Sequence, residues 1–559
     1  NPAIYSLLSY AGNYRKFIET AEFTINHRKE YILQEIYKKK PDVLCFSCYI
    51  WNITMIHNIV DNIKKILPHV MIILGGPEVS YCAEEVLTQI SADIVIRGEG
   101  EATFYEIAKG LITNTLELQS IHGITYRKGN DIFSTQNRMP INLNDLDFVY
   151  DNIEAFQNRI LYYETQRGCP YCCQYCLSSI EKGVRFLSLE RVEKDLQFFL
   201  DNNVPQVKFV DRTFNANENH ANHIWNYLIE HDNGITNFHM EITADILSEK
   251  SLQLLKRARK GLFQFEIGVQ STNPHTIKAI QRNTSFEKLK TVVKRIKQYD
   301  NIHQHLDLIA GLPYENYHSF RNSFNDVYDL QPEQLQLGFL KLLKGSGLRE
   351  QAEQYGIIYR KNAVYEVLYT KELCYTEICR LKQIEDMVET YYNSGKAYHT
   401  IACAIHYFET PFDFYEALGD YFVKKGHYAV QHSKIELYTI LYNFITETSC
   451  TAEHQKLLKD CLKFDIFIND YVKTLPYWLE EAPDEKQKRW DYFNHTTLIQ
   501  QKAPHLAEQT PKQLSKRCYI GFFHYDIFSE NKCKKETVIL FDYGKRDKIT
   551  GKYMCYQIV

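Results

Sequence analysis

The sequence contains no apolar run of about 18 residues, the length that a membrane-spanning helix needs. Its first residues also lack the basic and apolar segments of a secretory signal. Glycine and proline number only 24 and 15, which argues against disorder and low complexity. These absences indicate a folded protein with no membrane segment, and we expect it in the cytoplasm.

The chain also lacks a strong charge excess and the cysteine pattern of a secreted protein. Its net charge of -4 argues against a globally basic nucleic-acid coat. Fifteen cysteines are an odd count in a long chain, which favours free thiols, metal ligation or redox chemistry over a disulfide framework. At 559 residues, we expect two to four domains.

Residues 1 to about 112 alternate short apolar strands with amphipathic helices. The predicted strands lie at residues 22–25, 43–47, 71–74 and 94–97. This pattern is typical of a parallel, Rossmann-like sheet covered by helices. Because the chain opens with a helix start at Asn1-Pro2-Ala3, we expect that the first strand of this sheet precedes the given sequence. A hairpin over residues 123–134 follows.

A second strand–helix series begins at residue 159. Its predicted strands lie at residues 160–165, 206–211, 238–243, 263–269, 305–310 and 334–340. Their starts are 25 to 46 residues apart, which suits a parallel barrel of six units. The end of the chain predicts aromatic-rich helices and a β-hairpin at residues 538–559. We therefore predict an α/β protein divided into residues 1–140, a linker 141–158, a barrel 159–345 and a mainly helical domain 346–559.

Four cysteines, Cys169, Cys172, Cys173 and Cys176, lie just after the first predicted barrel strand. The first two have the C-x-x-C spacing of a thiol oxidoreductase, which leaves the other two without a role. Cys169, Cys173 and Cys176 instead have C-x-x-x-C-x-x-C spacing, which suits three irons of a 4Fe-4S cluster with the fourth iron open. A zinc site or a purely structural cluster is a further alternative.

This loop, with Tyr175 before its last cysteine, resembles the signature of the radical S-adenosylmethionine (SAM) superfamily. The resemblance extends over about residues 1–345 and implies a partial βα barrel. It implies that Cys169, Cys173 and Cys176 hold the cluster and that Cys172 does not ligate. The resemblance implies that SAM is contacted by Tyr175 of the loop and by residues at successive strand ends, namely Asp211, Glu241, Gln270, Ser271 and Gly311. Asp211 or Glu241 alone would equally suit a loop ion pair.

The predicted strands of the N-terminal half end in SCYIWN, GGPEVS and GEGEAT, where ligands of parallel sheets bind. Paired glycines admit a flat cofactor close to the backbone, and they equally suit tight turns. With the cysteine loop downstream, these segments resemble the cobalamin-binding domain of cobalamin-dependent radical SAM proteins. The implied cobalamin contacts are Ser47, Tyr49, Trp51, Gly75, Gly76, Pro77, Glu78, Gly98, Glu99 and Gly100. Because D-x-H-x-x-G is absent, cobalamin is expected to bind without a histidine ligand.

The family resemblance implies cleavage of SAM to a 5′-deoxyadenosyl radical, which abstracts hydrogen from an unactivated carbon. In the methylase subgroup methylcobalamin then donates a methyl group, and a methylase is the leading hypothesis. Oxidative cyclisation or rearrangement is an alternative, as is a non-enzymatic iron–sulfur and cobalamin sensor. The C-terminal region, including FDYGKRDKITG, resembles a domain of one subgroup and implies no substrate.

A methylthiotransferase is a further alternative, because such enzymes carry three more cysteine ligands in the N-terminal domain. Cys45, Cys48 and Cys82 match that number, but Cys45 lies in an apolar strand, where a buried structural thiol is expected. We expect a monomer that takes electrons from a flavodoxin or ferredoxin. Its substrate is expected to be a small molecule, a peptide or a tRNA base.

Overall fold

The computed structural model describes residues 2–150, 152–180, 183–448, 451–472, 474–479, 482–529, 532–547 and 551–559. The chain divides into two compact units, the first comprising Asn1–Ser323 and Leu337–Ile378 and the second Phe324–Gln336 and Cys379–Val559. The first unit holds both predicted cofactor-binding segments, so the four-part division of the sequence stays a prediction. Among the described residues, no helix combines the length and apolar character needed to cross a bilayer.

The N-terminal sheet has the strand order β1-β2-β3-β4-β5, with β1, β2 and β3 parallel and β4 and β5 antiparallel. Its strands are β1 (Val43–Ser47), β2 (Met71–Gly75), β3 (Ile94–Ile96), β4 (Ile124–Lys128) and β5 (Asp131–Ser134). The helices of this region are α1 (Pro2–Tyr10), α2 (Lys29–Lys39), α3 (Ile53–Ile66), α4 (Pro77–Ser80), α5 (Ala83–Gln89) and α6 (Glu101–Ile112). Helix α3 buries Ile56, Ile59, Val60 and Ile63, a helical spacing that packs one face against the sheet. The predicted Rossmann-like sheet and its hairpin are confirmed.

The strand predicted at residues 22–25 is wrong. These residues form a loop between α1 and α2. Phe23 packs against the core of the N-terminal sheet, and Glu22 accepts hydrogen bonds from Tyr5 (2.9 Å) and Arg159 (2.7 Å). The segment therefore satisfies its apolar and acidic side chains without pairing to a strand.

The barrel sheet has the strand order β13-β12-β11-β10-β9-β6, and the neighbouring strands from β6 to β12 are parallel. Its strands are β6 (Leu161–Tyr163), β9 (Gln206–Phe209), β10 (Asn237–Ile242), β11 (Phe263–Gln270), β12 (His303–Ala310) and β13 (Gln334–Phe339). The helices between them are α7 (Leu189–Asp201), α8 (Glu218–Glu230), α9 (Glu249–Leu255), α10 (Pro274–Ala279), α11 (Phe286–Tyr299) and α12 (Tyr317–Tyr328). The predicted series of six strand–helix units is confirmed.

The two faces of strand β11 differ in polarity. Phe263, Phe265 and Ile267 are fully buried on one face. Glu266, between two of them, points to the opposite face, since neighbouring side chains on a strand alternate. The strand register shifts between Gly268 and Gln270, and the Gln270 side chain lies where a Cβ at Gly268 would be. The concave side of the barrel is therefore lined with polar groups.

Two antiparallel pairs in the first unit were not predicted. Strand β7 (Gln166–Cys169) pairs with β8 (Gly183–Phe186), and β14 (Ile358–Tyr359) pairs with β15 (Val367–Tyr369). Helix α13 (Gly347–Glu350) precedes the second pair, and α14 (Tyr375–Met387) follows it. The first pair shapes the cysteine loop.

The second unit is mainly helical and ends in a three-stranded antiparallel sheet of order β16-β17-β18. Its helices are α15 (Tyr398–Ala404), α16 (Pro411–Lys425), α17 (Lys434–Glu447), α18 (Ala452–Asn469), α19 (Glu485–Asn494), α20 (Thr496–Lys502) and α21 (Pro511–Arg517), and its strands are β16 (Cys518–Tyr525), β17 (Lys534–Arg546) and β18 (Tyr553–Gln557). The predicted terminal hairpin is confirmed as β17 and β18, and β16 adds a strand to it. Residues 548–550 of its connection lie outside the described residues.

Candidate functional site

The cysteine loop begins at a hairpin whose register depends on glycine. Gly168 pairs with Val184, and Cys169 pairs with Gly183. Gly168 has a φ of +96°, and a Cβ there would overlap the carbonyl oxygen of Gly183. Only glycine allows the two strands to approach this closely. The backbone just before Cys169 is therefore fixed by sterics.

The predicted cluster ligands differ in exposure. Cys173 is buried, Cys169 and Cys176 are half-buried, and Cys172 is exposed. The N–H of Cys176 donates to the carbonyl of Cys173 at 3.1 Å, which closes a tight turn between them. Cys169 Sγ lies 3.5 Å from the hydroxyl oxygen of Thr213. All four thiols are free.

No three His, Cys, Asp or Glu side chains within the described ranges converge closely enough to hold one metal ion. A zinc ion would need its ligands to meet at a single point. A cluster instead binds each thiolate through a different iron, so its ligands lie further apart. The prediction that Cys45 is a buried thiol is wrong, because it is exposed on β1. Within the described residues, Cys45, Cys48 and Cys82 do not form a metal-binding group.

Arg282 is a site residue that the sequence did not reveal. Its Nη1 donates to the Tyr175 hydroxyl at 2.9 Å and lies 3.9 Å from Cys173 Sγ, and its Nη2 donates to the Gly268 carbonyl at 2.6 Å. Burial raises the pKa of the Cys173 thiol, and the Arg282 charge opposes that rise. The residue sits just after α10 with no motif spacing around it, so only the fold brings it to the cysteines.

Asp211 anchors the start of the cysteine hairpin. Its fully buried carboxylate accepts from the backbone N–H of Thr165 (2.8 Å), from the Thr165 hydroxyl (2.5 Å) and from the N–H of Gln166 (3.2 Å). Burial raises the pKa of Asp211 to about 7, although these hydrogen bonds oppose the rise. The carboxylate thus positions the strand that leads to Cys169, and its expected SAM contact stays a prediction.

Glu241 and Gln270 place polar groups that can still bind a ligand on the concave face of the barrel. Burial raises the pKa of Glu241 to about 7, and Arg212 Nη1 lies 3.8 Å from Glu241 Oε1. Gln270 has a φ of +70°, and its buried Oε1 has no hydrogen-bond partner in the described part of the chain. Buried polar atoms normally find partners, so this acceptor is suited to a ligand.

Ser271 and Gly311 serve the protein's own packing. The Ser271 hydroxyl donates to Glu315 at 2.6 Å. Gly311 has a φ of +88°, and a Cβ there would lie 2.8 Å from the Val367 side chain. Their expected SAM contacts, like that of Tyr175, stay predictions.

The first two loops at the N-terminal sheet edge touch through their backbones. The N–H of Cys48 donates to the Gly75 carbonyl at 2.7 Å, and a Cβ at Gly76 would collide with the Cys48 carbonyl. Pro77 follows as the first residue of α4. The paired glycines therefore make a close turn, one of the two roles expected of them.

Beside this turn, two aromatic rings form a flat surface. Tyr49 and Trp51 stack with their centroids 4.5 Å apart and their planes 6° apart, and Trp51 is 59% exposed. Asn52 fixes the loop by donating to the Ser47 carbonyl at 2.9 Å and accepting from the Tyr49 N–H at 2.7 Å. An exposed stacked pair of this kind fits the apolar face of a flat cofactor.

The acidic residues of the same edge are engaged within the protein. The Tyr365 hydroxyl donates to the buried Glu78 carboxylate. Glu99 accepts from the N–H of Ile141 at 2.9 Å and from Arg185. Gly98 has a φ of +73° with open space beside it. The predicted cobalamin contacts at this edge therefore stay predictions, and the backbone supports them better than the carboxylates do.

Comparison with known families assigns most of the chain to three domains. Residues 14–108 match the B12 binding domain, and residues 163–327 match the Radical SAM superfamily. Residues 353–541 match DUF4080, a family described as a protein of unknown function. The first two matches include the stacked aromatic pair and the cysteine loop.

Among known proteins, the chain is similar to the cobalamin-dependent radical SAM methyltransferase TokK of Streptomyces tokunonensis. The two are 24% identical over 351 residues, which is 57% of this chain and 50% of TokK. The chain thus spans about half the length of that relative.

Two solved structures share its fold. The cobalamin-dependent radical enzyme OxsB, with aqua-cobalamin bound, matches at a TM-score of 0.58 and 15% identity, covering 83% of this chain and 81% of OxsB. The radical SAM methyltransferase TsrM of Kitasatospora setae, with cobalamin and a 4Fe-4S cluster bound, matches at a TM-score of 0.54 and 14% identity, covering 65% and 75%.

Proposed function

We propose that this chain, whose domains are those of the cobalamin-dependent radical SAM proteins, is a methyltransferase that acts on an unactivated carbon. The observation that carries the proposal is a cysteine hairpin with an unpartnered polar side chain beside it, in the same compact unit as a B12-binding domain. The similarity to methyltransferases such as TokK supports methylation over cyclisation or sensing.

When bound, a 4Fe-4S cluster, SAM and cobalamin would supply a 5′-deoxyadenosyl radical and a transferable methyl group. Cys169, Cys173 and Cys176 would hold the cluster. Arg282 places its charge beside Cys173 and favours the thiolate that metal binding requires.

The remaining site residues orient ligands. Asp211 holds the strand before the cysteines, and the unpartnered Gln270 Oε1 offers a buried acceptor to SAM. On the N-terminal sheet, Tyr49 and Trp51 offer a stacking surface for cobalamin. No histidine ligand is needed for this mode of binding, in line with the absent D-x-H-x-x-G.

The proposal is tested by anaerobic reconstitution of the chain with iron, sulfide and cobalamin, followed by reductant and methyl-labelled SAM. Fractions of small molecules, peptides and tRNA serve as substrates. A radical methylase consumes two SAM molecules per methyl transfer and releases both 5′-deoxyadenosine and S-adenosylhomocysteine. We expect both products, with the label in one fraction.

Release of 5′-deoxyadenosine alone, with an unlabelled altered product, would identify cyclisation or rearrangement instead. Absence of both SAM-derived products with every fraction would contradict an enzymatic role. The substrate class, the flavodoxin or ferredoxin donor, the monomeric state and the cytoplasmic location stay predictions.

A further inference from the structure

Two arginines of the cysteine hairpin contact two carboxylates of the N-terminal domain. Arg167 Nη2 donates to Glu101 Oε1 at 2.6 Å, and Arg167 Nη1 lies 3.5 Å from Glu99 Oε1. Arg185 Nη2 donates to the same Glu99 oxygen. We call these four residues, Glu99, Glu101, Arg167 and Arg185, the clasp.

The arginine half of the clasp is tied to the predicted cluster ligands. Arg167 and Arg185 are directly paired across β7 and β8. Only Gly168 separates Arg167 from Cys169 on β7, and the steric fit of Gly168 against Gly183 holds this stretch to β8. A displacement of Arg167 is therefore transmitted to Cys169.

The carboxylate half lies in the loop expected to meet cobalamin. Glu99 stands between Gly98 and Gly100, and Glu101 is the first residue of α6. The positive end of the α6 dipole stabilises negative charge at this position. The N–H of Ile141 also donates to Glu99 Oε2 at 2.9 Å, which orients its carboxylate.

The clasp is largely withdrawn from water. The side chains of Glu99, Glu101 and Arg167 are 13%, 7% and 17% exposed. Arg167 Nε also donates to Glu164 Oε1 at 2.9 Å, so its guanidinium is bonded to carboxylates on more than one side. Buried ion pairs add little net stability, and their best-attested use is to select one register between the surfaces they join.

We propose that the clasp is a positioning device that holds the cobalamin-facing loop in one fixed register with the cluster hairpin. The inference rests on the proposed function, because the radical source and the methyl donor must reach the same substrate carbon. A misplacement of about 1 Å in such a site costs about 10²-fold in rate. The clasp thus sets the separation of the two cofactors.

The test uses Glu101→Gln and Arg167→Lys in the holoprotein, with both cofactors loaded. Glu101→Gln removes one charge at nearly constant volume, and Arg167→Lys keeps the charge but loses the forked geometry. Cob(II)alamin and the dithionite-reduced cluster are both paramagnetic, so each changes the electron-spin relaxation of the other with a steep distance dependence. We expect the relaxation enhancement of cob(II)alamin to be lost in Glu101→Gln and partly kept in Arg167→Lys, while iron and cobalt contents stay at wild-type levels.

A second readout needs no cofactor. Hydrogen exchange of the cofactor-free chain reports on backbone amides at residues 98–101 and 166–169. We expect exchange in both segments of Glu101→Gln to be faster by about tenfold, the change expected for loss of a hydrogen bond between charged groups.

Arg259→Lys is the matched control. Arg259 Nε donates to Asp232 Oδ2 at 2.6 Å within the barrel, away from the clasp. This variant should leave the relaxation enhancement and the exchange of both segments unchanged. The proposal is overturned if Glu101→Gln matches wild type in both readouts, or if Arg259→Lys produces the same changes. If the wild-type protein loads neither cofactor, the proposed function fails, and hydrogen exchange alone then decides on the clasp.

Discussion

The two strand-end edges of the first unit use their polar residues in opposite ways. At the barrel edge, Gln270 Oε1 and Arg282 Nε are buried without a hydrogen-bond partner among the described residues. At the N-terminal edge, the carboxylates of Glu78 and Glu99 are bonded to side chains from later in the chain. Acidic residues near a ligand edge are therefore not all ligands, whereas the barrel edge keeps a buried side-chain acceptor, Gln270 Oε1, available to a ligand.

Among the variants that test this comparison, Cys173→Ala at the barrel edge is expected to have the largest effect. The buried thiol is the central predicted ligand, and two cysteines cannot hold a site-differentiated cluster. We expect loss of the cluster absorbance and of SAM cleavage to the background of iron-free protein. The adjacent variant Cys172→Ala should retain both, since its thiol is exposed and not expected to ligate. Intact iron loading in Cys173→Ala would contradict the assignment of the cysteine loop as the iron–sulfur cluster site.

A smaller effect is expected from Arg282→Ala. The change leaves the half-buried Tyr175 hydroxyl and the Gly268 carbonyl without this donor, which costs about 1–3 kcal/mol in unfolding free energy. The free energy of unfolding measured in urea and the iron content should both fall, and Arg282→Lys should recover part of each. Arg295→Ala, which breaks an exposed pair with Glu249, should stay near wild type. Equal losses in both alanine variants would show that Arg282 has no special role at the cysteines.

The pH dependence of stability tests the comparison at Glu241. Its folded pKa of about 7 lies above the ordinary value of 4.5, so its contribution to stability is complete below pH 4.5 and is lost as the pH rises through 7. Glu241→Gln should therefore match wild type near pH 4.5 and exceed it at pH 7.5, by on the order of 2 kcal/mol after allowance for its 28% exposed side chain.

Urea unfolding at the two pH values measures this difference. Glu230→Gln, which changes an exposed carboxylate of the same barrel, should show no gain at pH 7.5. An unchanged pH profile in Glu241→Gln would show that Glu241 is well solvated or already paired.

The smallest effect is expected from Tyr365→Phe at the N-terminal edge. Loss of the hydroxyl leaves the buried Glu78 carboxylate without this donor, at a cost of about 1 kcal/mol in stability. Cobalamin retention should not change, because Glu78 is bonded within the protein. Tyr369→Phe, at a half-exposed position of β15, is the matched control. Loss of cobalamin from Tyr365→Phe alone would show that the bond between Tyr365 and Glu78 supports cobalamin binding.

The sequence predicted those parts of the fold that depend on local pattern. Apolar alternation located the barrel strands, and cysteine spacing located the loop at the end of β6. The segment at residues 22–25 shows the limit, because alternation over four residues does not show whether a neighbouring strand is available. Strand β8 was missed because its pairing with β7 follows from glycine sterics at Gly168, which spacing does not reveal.

The candidate site was harder to predict from the sequence, because its supporting contacts join residues far apart in the chain. Arg282 reaches Cys173 across 109 positions in the chain, and Tyr365 reaches Glu78 across 287. Motif reasoning assigns each acidic residue to the cofactor that its loop faces. Only the structure shows that Asp211 already accepts three hydrogen bonds and that Glu99 is held by an arginine.

The absence of a side chain at Gly168 has a consequence for variation at this position. Even alanine would push the hairpin strands apart, because no movement of a flexible group could relieve a collision between two backbones. The displaced strand would carry Arg167 and Cys169 with it, so one methyl group would disturb the clasp and the cysteine loop together. Substitution at this single position should thus be among the least tolerated in the chain, although glycine itself performs no chemistry.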